Sequence, residues 1–369
     1  MFGKLYLGEL KKLTRPKALI TISVICVVLF ILFAVIYNIN FDKMIDDIDD
    51  MAESVETETG TETGEDADED DGMSDYYTDY ISATTPENVD ETIANLTATK
   101  KEYEALNKQK ETKGYFGAQI HELDCGIAML EYMKANNVYG KFNVEGYATY
   151  YSAKNAEAFA LSYFTLVAGI LAIYGIVIAA GLYADEYSRG TIKLIMLRPV
   201  TKNQVTTAKL LALFTHLIGI LGIASLIGYI YGAIAYKSVS LEKIYVVFNG
   251  SSVFVSTVGG TVFYKMFFSV VKILSYATLS YAIGTILRKK TPAIILSFIV
   301  YLGIISALFS FFDGERFIFS TNTDLSVYFG FGSNFMNGGN FFIALPMLVV
   351  YLAAIIVSTY LVVNKRDVI

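Results

Sequence analysis

The fold of this chain is decided where two long apolar segments are joined by a charged stretch, 185-DEYSRGTIKLIMLRPVT-201. Gly190 is expected to break the helix that leaves the first segment, and Thr191 to cap a short helix that Pro199 ends. Thr201, followed three residues later by Gln204, matches a capping box at the start of the next long helix. The stretch therefore predicts a rigid unit of three helices separated by two breaks.

Six apolar stretches are long enough to cross a membrane, because a spanning helix needs about twenty mostly apolar residues. They are 18–37, 158–183, 205–236, 267–287, 292–311 and 341–363. Hydrophobic residues make up 54 % of the chain and charged residues only 18 %, which is low for a soluble protein. The sequence therefore predicts an all-α integral membrane protein with six transmembrane helices.

Lysine and arginine cluster in some of the segments between these spans, and such clusters face the cytoplasm. With six spans, all the basic clusters fall on one side; they lie in 1–17, 184–204, 288–290 and 364–369. We therefore expect a multi-pass protein of a plasma membrane, bacterial by its character, with both termini in the cytoplasm. The segments expected outside are 38–157, 237–266 and 312–340, the last of which is rich in Phe, Tyr and Gly and is a candidate re-entrant loop.

The N-terminal segment 1–17 is predicted to form an amphipathic helix on the inner membrane surface. Phe2, Leu5, Tyr6 and Leu10 share one face, and the basic residues of the segment are Lys4, Lys11, Lys12, Arg15 and Lys17. The alternative is an ordinary positive anchor without a helix.

The external insert 38–157 divides into two parts. Fifteen acidic residues and one lysine lie between Asp42 and Gly72, and the segment 42–80 is predicted to be disordered because it has little apolar area to bury. Its aspartates do not match a calcium loop, since the glycine comes one position late, and no metal site is expected. The segment 85–137 has apolar residues at helical spacing and is predicted to form a helical hairpin.

Two features of the spans have more than one interpretation. Lys272 lies inside the fourth span and is a candidate intramembrane site, although a lysine near the outer end can also extend to the interface. Gly228-x-x-x-Gly232 in the third span can pack helices inside the subunit or form a dimer face.

The loop resembles a known signature. Glu186, Gly190-Thr191, Pro199, Thr201 and Ala208-Lys209, with apolar residues between, are similar to the loop of ABC transporter permeases of the type-2 exporter (ABC-2) family. The N-terminal basic helix, the six spans and the charged end at Lys365-Arg366-Asp367 extend the resemblance over most of the chain. Val200-Thr201-Lys202 departs mildly from the family's Ser-Arg or Thr-Arg after the proline.

The resemblance implies a function. The short helix would be a coupling helix that docks on separate ABC ATPase subunits, which carry ATP and Mg, and the N-terminal helix would be an elbow helix. The residues implied in coupling are Glu186, Arg189, Gly190, Thr191, Leu194, Leu197, Arg198 and Pro199. A second copy or a related permease would complete a path for a lipophilic or amphipathic substrate such as a peptide, drug or lipid.

Several functions are disfavoured by what the sequence lacks. It has no Gly-x-x-x-x-Gly-Lys-Ser/Thr loop for ATP and no common hydrolase motif, so it is expected to be a transport subunit and not an enzyme. The lipid membrane is an expected partner and nucleic acid is not. The alternatives are an ion-extrusion permease and a membrane-bound sensor or scaffold that uses the external hairpin.

Glu186 is expected to pair with a base on the ATPase or, as the plainer alternative, with Arg189 one helical turn away. The Arg189 pair would be exposed and weak. Removing Glu186 is therefore expected to change the stability of the permease little, but to weaken ATPase binding or uncouple hydrolysis from transport.

Overall fold

The computed structural model describes residues 2–15, 24–39, 84–107, 117–137, 142–143, 156–192, 200–236, 244–248, 253–310, 317–326 and 341–365. The acidic segment 42–80, most of the predicted coupling helix (193–199) and the tail at 366–369 lie outside these residues.

The described helices and strands follow one another along the chain as a mostly helical series. The helices are α1 (Phe2–Leu13), α2 (Val24–Ile39), α3 (Val89–Asn107), α4 (Gly117–Asn136), α5 (Ala156–Ser188), α6 (Lys202–Ala235), α7 (Val258–Leu287), α8 (Lys290–Tyr301), α9 (Ile304–Ser310), α10 (Phe319–Thr323) and α11 (Phe341–Lys365). The strands are β1 (Phe142–Asn143), β2 (Ile244–Phe248) and β3 (Val253–Thr257).

Four of the described helices, α5, α6, α7 and α11, are long and apolar enough to cross a membrane. The predicted class of helical membrane protein is thereby confirmed. The count of six is not, because the predicted spans 18–37 and 292–311 correspond to the shorter apolar helices α2 and α8.

The predicted span 292–311 differs from the structure in a specific way. The helix α8 ends at Tyr301, and α9 begins at Ile304 after a two-residue break. Gly303 in this break has a φ of 70°, a conformation that costs glycine little and other residues more. The apolar composition of the stretch hides this break, because a single glycine barely changes its hydropathy.

The central helix is α5, which packs against both α6 and α7. Its contact with α7 is close because Gly284 has no side chain: a Cβ added there would overlap the backbone oxygen of Ala180. The paired helices therefore depend on glycine at this position.

The glycine motif of α6 faces α5. A Cβ on Gly228 would overlap the ring of Tyr163, and one on Gly232 would lie 2.8 Å from the backbone oxygen of Ala156. Of the two interpretations of this motif, the structure supports packing inside the subunit.

The helix α2 joins this bundle through aromatic rings. Phe30 lies with its ring centroid 5.2 Å from that of Tyr163 and 5.1 Å from that of Tyr231, in edge-to-face geometry. At the end of α2, Asn38 accepts a hydrogen bond from the hydroxyl of Tyr236 at 3.0 Å. Aromatic residues near the start of α5 and at the end of α6 thus hold the first apolar helix in place.

The region 85–137 contains α3 and α4, which pack against each other. Leu96, Leu123 and Leu130 are buried between them, and an ion pair joins Lys100 to Asp124.

The three short strands form a small sheet of order β1-β2-β3, with β1 parallel and β3 antiparallel to β2. The sequence did not predict these strands.

Candidate functional site: a buried charge cluster joining three helices

Lys209 lies two turns inside α6 with only 1 % of its side chain exposed. Its Nζ donates to Oε1 of Glu186 at 2.6 Å and to Oε2 of Glu9 at 3.1 Å. Glu186 belongs to the end of α5 and Glu9 to α1. One buried ammonium therefore connects the consecutive helices α5 and α6 to α1, whose Glu9 is 200 positions away from Lys209.

Lys12 completes the cluster from the more exposed side. Its Nζ lies 2.7 Å from Oε1 of Glu9 and 3.2 Å from Oε1 of Glu186. Two lysines and two glutamates make the cluster formally neutral. A buried charge is costly unless it is paired, so this balance permits the burial of Lys209 and Glu9.

Tyrosines from two helices form the surroundings of the cluster. The ring centroid of Tyr183 lies 5.5 Å from Nζ of Lys209, within the range of a cation–π contact. The hydroxyl of Tyr183 is hydrogen-bonded to Oγ1 of Thr206 at 2.8 Å, and the hydroxyl of Tyr281 donates to the backbone oxygen of Thr206 at 3.2 Å. Since Tyr281 belongs to α7, this hydrogen bond also connects α7 to the part of α6 that carries the cluster.

The charges of the cluster change the acidity of the α1 residues. Burial alone would raise the pKa of the Glu9 carboxyl, but Lys209 and Lys12 outweigh it, and the pKa is lowered. Burial would likewise lower the pKa of Lys12, while Glu9 and Glu186 raise it above its ordinary value. Both groups are therefore held in their charged forms.

The two carboxylate oxygens of Glu186 differ in their hydrogen-bond partners. Oε1 is shared by the two lysines, whereas Oε2 is buried and has no hydrogen-bond partner among the described residues. Of the two partners that the sequence left open, a base on the ATPase and Arg189, the place of Arg189 is taken by Lys209 and Lys12. The expectation of a weak, exposed pair is wrong, because Glu186 is only 14 % exposed and Lys209 is buried.

The chain turns sharply after α5. The amide of Gly190 donates to the backbone oxygen of Tyr187 at 3.1 Å, and Gly190 has a φ of 69°. Thr191 donates through its hydroxyl to the backbone oxygen of Glu186 at 3.4 Å, and Ile192 is buried. The helix break expected at Gly190 is therefore present.

The far side of the loop is described from Val200 onward. Thr201 caps α6, and its side chain and that of Gln204 form the reciprocal hydrogen bonds of a capping box, as predicted. The other implied coupling residues, Leu194, Leu197, Arg198 and Pro199, lie outside the described residues.

A second connection links the end of α5 to the turn between α7 and α8. Lys290 lies 3.5 Å from Oδ2 of Asp185. The guanidinium of Arg288 lies over the ring of Tyr187, 4.4 Å from its centroid, and Arg288 itself has a φ of 55°. The end of α5 is thus fixed on two sides.

The predicted N-terminal residues divide into two groups. Lys12 enters the cluster, whereas the exposed Lys4, Lys11 and Arg15 have no ion pair within the part of the chain described. Sequence reasoning missed Glu9, and it noted Lys209 only as part of the loop signature. The available signal was the pair Glu9 and Lys12, three residues apart on a helix.

Lys272 has a partner that the sequence did not indicate. Its Nζ lies 2.5 Å from Oδ2 of Asp324, which follows α10. The side chain is 33 % exposed, so Lys272 is neither deeply buried nor unpaired.

Comparison with known proteins identifies the class. The family described as "ABC-2 family transporter protein" matches residues 4–368, nearly the whole chain. The chain belongs to this family of ABC transporter permeases, which confirms the resemblance seen in the loop. The family is a membrane transport component that lacks the ATPase domain.

One curated relative is the uncharacterized protein YhcI of Bacillus subtilis strain 168, to which the chain is 27 % identical over 213 residues. The alignment covers 56 % of this chain and 66 % of the relative, just under two thirds of the relative's length. No solved structure matches the chain.

Proposed function

We propose that this chain is the membrane-spanning permease subunit of an ATP-driven exporter and works with separate ATPase subunits. Membership of the ABC-2 family supports the general role. The observation that carries the coupling proposal is the buried ammonium of Lys209, which joins Glu186 at the start of the loop to Glu9 of α1.

The proposed mechanism is mechanical. ATP and Mg bind the partner ATPase, which docks on the loop 184–204 and moves it. Gly190 ends α5 at one side of the loop, and the cap at Thr201 begins α6 at the other. Because Lys209 binds both Glu186 and Glu9, α1, α5 and α6 would move as one body when the loop moves.

The proposed topology is that of six spans with both ends in the cytoplasm. In this arrangement α1 is an elbow helix on the inner surface, and the insert 38–157 lies outside. Two copies, or this chain and a related permease, would enclose the path. The basic flanks of the spans and the four long apolar helices support this arrangement.

The proposed substrate is lipophilic or amphipathic, such as a peptide, drug or lipid. Support comes from the many phenylalanines and tyrosines of the spans, which offer apolar and weakly polar contacts. The rival substrates are ions, and the rival role is a sensor or scaffold that uses α3 and α4.

The test is to co-express the affinity-tagged full chain with an ABC ATPase from the same genome, purify both in detergent and measure ATP hydrolysis. The proposal predicts a stable complex whose hydrolysis is stimulated by amphiphiles. If no ATPase binds the chain, the role of sensor or scaffold is favoured over that of an exporter subunit. Stimulation by salt ions alone would instead favour ion extrusion.

A further inference from the structure

One face of the helix α1 is bound to the rest of the protein. The hydroxyl of Tyr6 donates to Oγ1 of Thr215 at 2.9 Å, and Glu9 accepts from Nζ of the buried Lys209 at 3.1 Å. Leu5, on the same side, packs against the main hydrophobic core. An amphipathic helix usually gives its apolar face to the membrane, but here much of that face is used in contacts with the protein.

The other face of α1 carries a row of exposed side chains, Leu7, Lys11 and Arg15, at intervals of four positions. At 100° per residue, Lys11 lies about 160° around the helix from Glu9. Arg15 follows the last residue of α1, and the hydrogen bond from the amide of Thr14 to the backbone oxygen of Leu10 continues the helical turn almost to that point.

The charges of this exposed row are not compensated within the part of the chain that the structure describes. Neither Lys11 nor Arg15 has an ion pair there, whereas the neighbouring Lys12 is paired with Glu9 and Glu186. Leu7, one turn before Lys11, is 61 % exposed. The row therefore offers an apolar side chain followed by two positive charges.

The contacts of α1 with α6 fix the level of the row along the apolar helices. Lys209 is the last charged residue of α6, since residues 210–235 contain no Asp, Glu, Lys or Arg. Charged side chains are costly in the hydrocarbon core, so Lys209 marks the level at which α6 enters it. Glu9 lies at this level, and Tyr6 contacts Thr215 further into α6. The part of α1 after Glu9, with Lys11, therefore lies towards the polar start of α6, at the level of lipid head groups.

We propose that the exposed row is a binding surface for anionic phospholipid. Lys11 and Arg15 would hold the negatively charged head group, and Leu7 would lie against the first part of an acyl chain. A basic residue beside a membrane favours anionic lipid, whereas phosphatidylcholine has no net charge to offer. The inference goes beyond the proposed function, because it does not require an ATPase or a transported substrate.

The experiment uses the absence of tryptophan from the chain. Gly8→Trp places a single fluorescent side chain beside the row, where an added Cβ meets nothing within 4 Å. Val349→Trp provides the control position, because Val349 of α11 is 58 % exposed and lies on another helix. Each full chain is reconstituted without ATPase into mixed bilayers of phosphatidylglycerol and phosphatidylcholine, in which one lipid at a time carries brominated acyl chains. Bromine quenches tryptophan at short range, so the quenching gives the binding constant of phosphatidylglycerol relative to that of phosphatidylcholine at each position.

At the Gly8→Trp position, phosphatidylglycerol is expected to bind more tightly by about fivefold for each of the two charges. At the Val349→Trp position the two lipids should bind equally. Lys11→Gln and Arg15→Gln should each lower the preference by about fivefold, and Lys11→Arg should keep it. Lys4→Gln is the matched control, because Lys4 is an exposed lysine of the same helix and lies about 10 Å from Lys11 along its axis.

Two results of the quenching experiment would overturn the inference. The two lipids could bind equally at the Gly8→Trp position, in which case the row does not select anionic lipid. Lys4→Gln could lower the preference as much as Lys11→Gln does, in which case the overall charge of α1 acts and the row is not a site.

The other possible occupant of the row is an acidic surface of the ATPase. The affinity of the ATPase for the double variant Lys11→Gln/Arg15→Gln in phosphatidylcholine nanodiscs should equal its affinity for the unsubstituted chain. A loss of affinity would assign the row to the ATPase and overturn the inference. If no ATPase binds either chain, the proposed function fails, while the quenching experiment still decides whether the row binds anionic lipid.

Discussion

Replacement of Lys209 by methionine tests the charge cluster most sharply. Lys209→Met removes the charge and nearly preserves the volume. Glu9 and Glu186 would then share only Lys12, and the cluster would change from neutral to a net charge of −1.

The expected cost follows from the burial of the pair. Lys209 is 1 % exposed and Glu9 is 5 % exposed, so the change leaves a carboxylate with less compensation away from water. Breaking a buried ion pair by removing one partner costs about 3–5 kcal/mol. Lys4, an exposed lysine of α1, the helix that carries Glu9, provides the control, because substitutions of exposed residues usually change stability by less than about 0.5 kcal/mol.

The measurement is the free energy of unfolding in mixed micelles, followed by circular dichroism during titration with dodecyl sulfate. Glu9→Gln is measured alone and together with Lys209→Met. In the double variant the remaining pair, Glu186 and Lys12, is neutral again. The double variant should therefore be more stable than the sum of the single changes predicts, by about 0.5–3 kcal/mol.

Two results would refute this reasoning. Lys209→Met could be as stable as Lys4→Met, in which case Lys209 is not buried as a charge. The effects of Glu9→Gln and Lys209→Met could also simply add, in which case the two side chains do not interact and α1 is not held by the cluster.

Further predictions concern packing, pH and topology. Gly284→Ala should lower the free energy of unfolding by about 1–3 kcal/mol, because the added methyl group overpacks the contact. Gly222→Ala, whose methyl group meets open space, should be neutral or slightly stabilising. The same unfolding titration compares the two variants, and equal effects would contradict the close contact of α5 and α7. Because the pKa of Glu9 is lowered in the folded protein, the Glu9 carboxylate stabilises the fold at pH values above the ordinary pKa of 4.5, and this stabilisation is lost as the pH falls through the lowered pKa. The free energy of unfolding, measured against pH, should show this loss. A loss of equal size in Glu9→Gln would show that Glu9 is not its source. A cysteine at Gly60 should react with an impermeant thiol reagent added outside intact cells and one at Ile195 should not; the reverse pattern would overturn the proposed topology.

Local signals in the sequence predicted local structure well. Thr201 and Gln204 are three residues apart, so their capping box depends on nothing distant, and it is present in the structure. Gly190 likewise breaks α5 where its conformational freedom indicated. The family could also be recognised from the loop, because its signature lies within one short stretch.

Long-range contacts were beyond reach from one sequence. From the sequence, Glu9 is expected to be a solvent-exposed residue of a basic helix. In the structure it is buried, and its burial depends on Lys209, which is 200 positions away. Lys272 gave no hint of Asp324, since 52 positions separate them. The partner of the α6 face that carries Gly228 and Gly232 could not be predicted for the same reason. Only the packed structure shows that this face contacts α5.

The central claim is that the loop after α5 transmits motion between an ATPase and the membrane helices. Gly190 offers the most direct test, because a Cβ there meets nothing within 4 Å while its φ is 69°. A Cβ at this position is therefore not obstructed, and the expected effect of a substitution comes first from backbone conformation. Asparagine adopts positive φ more readily than other residues, whereas for a β-branched residue such as valine this conformation is a genuine outlier.

The decisive measurement is ATP hydrolysis by the purified permease–ATPase complex, with and without dodecyl phosphate as the added amphiphile, for wild type, Gly190→Val and Gly190→Asn. The account predicts that Gly190→Val weakens ATPase binding or abolishes the stimulation of hydrolysis, and that Gly190→Asn largely retains both. If Gly190→Val binds the ATPase with normal affinity and shows normal stimulation, the loop does not couple the two proteins and the account is contradicted.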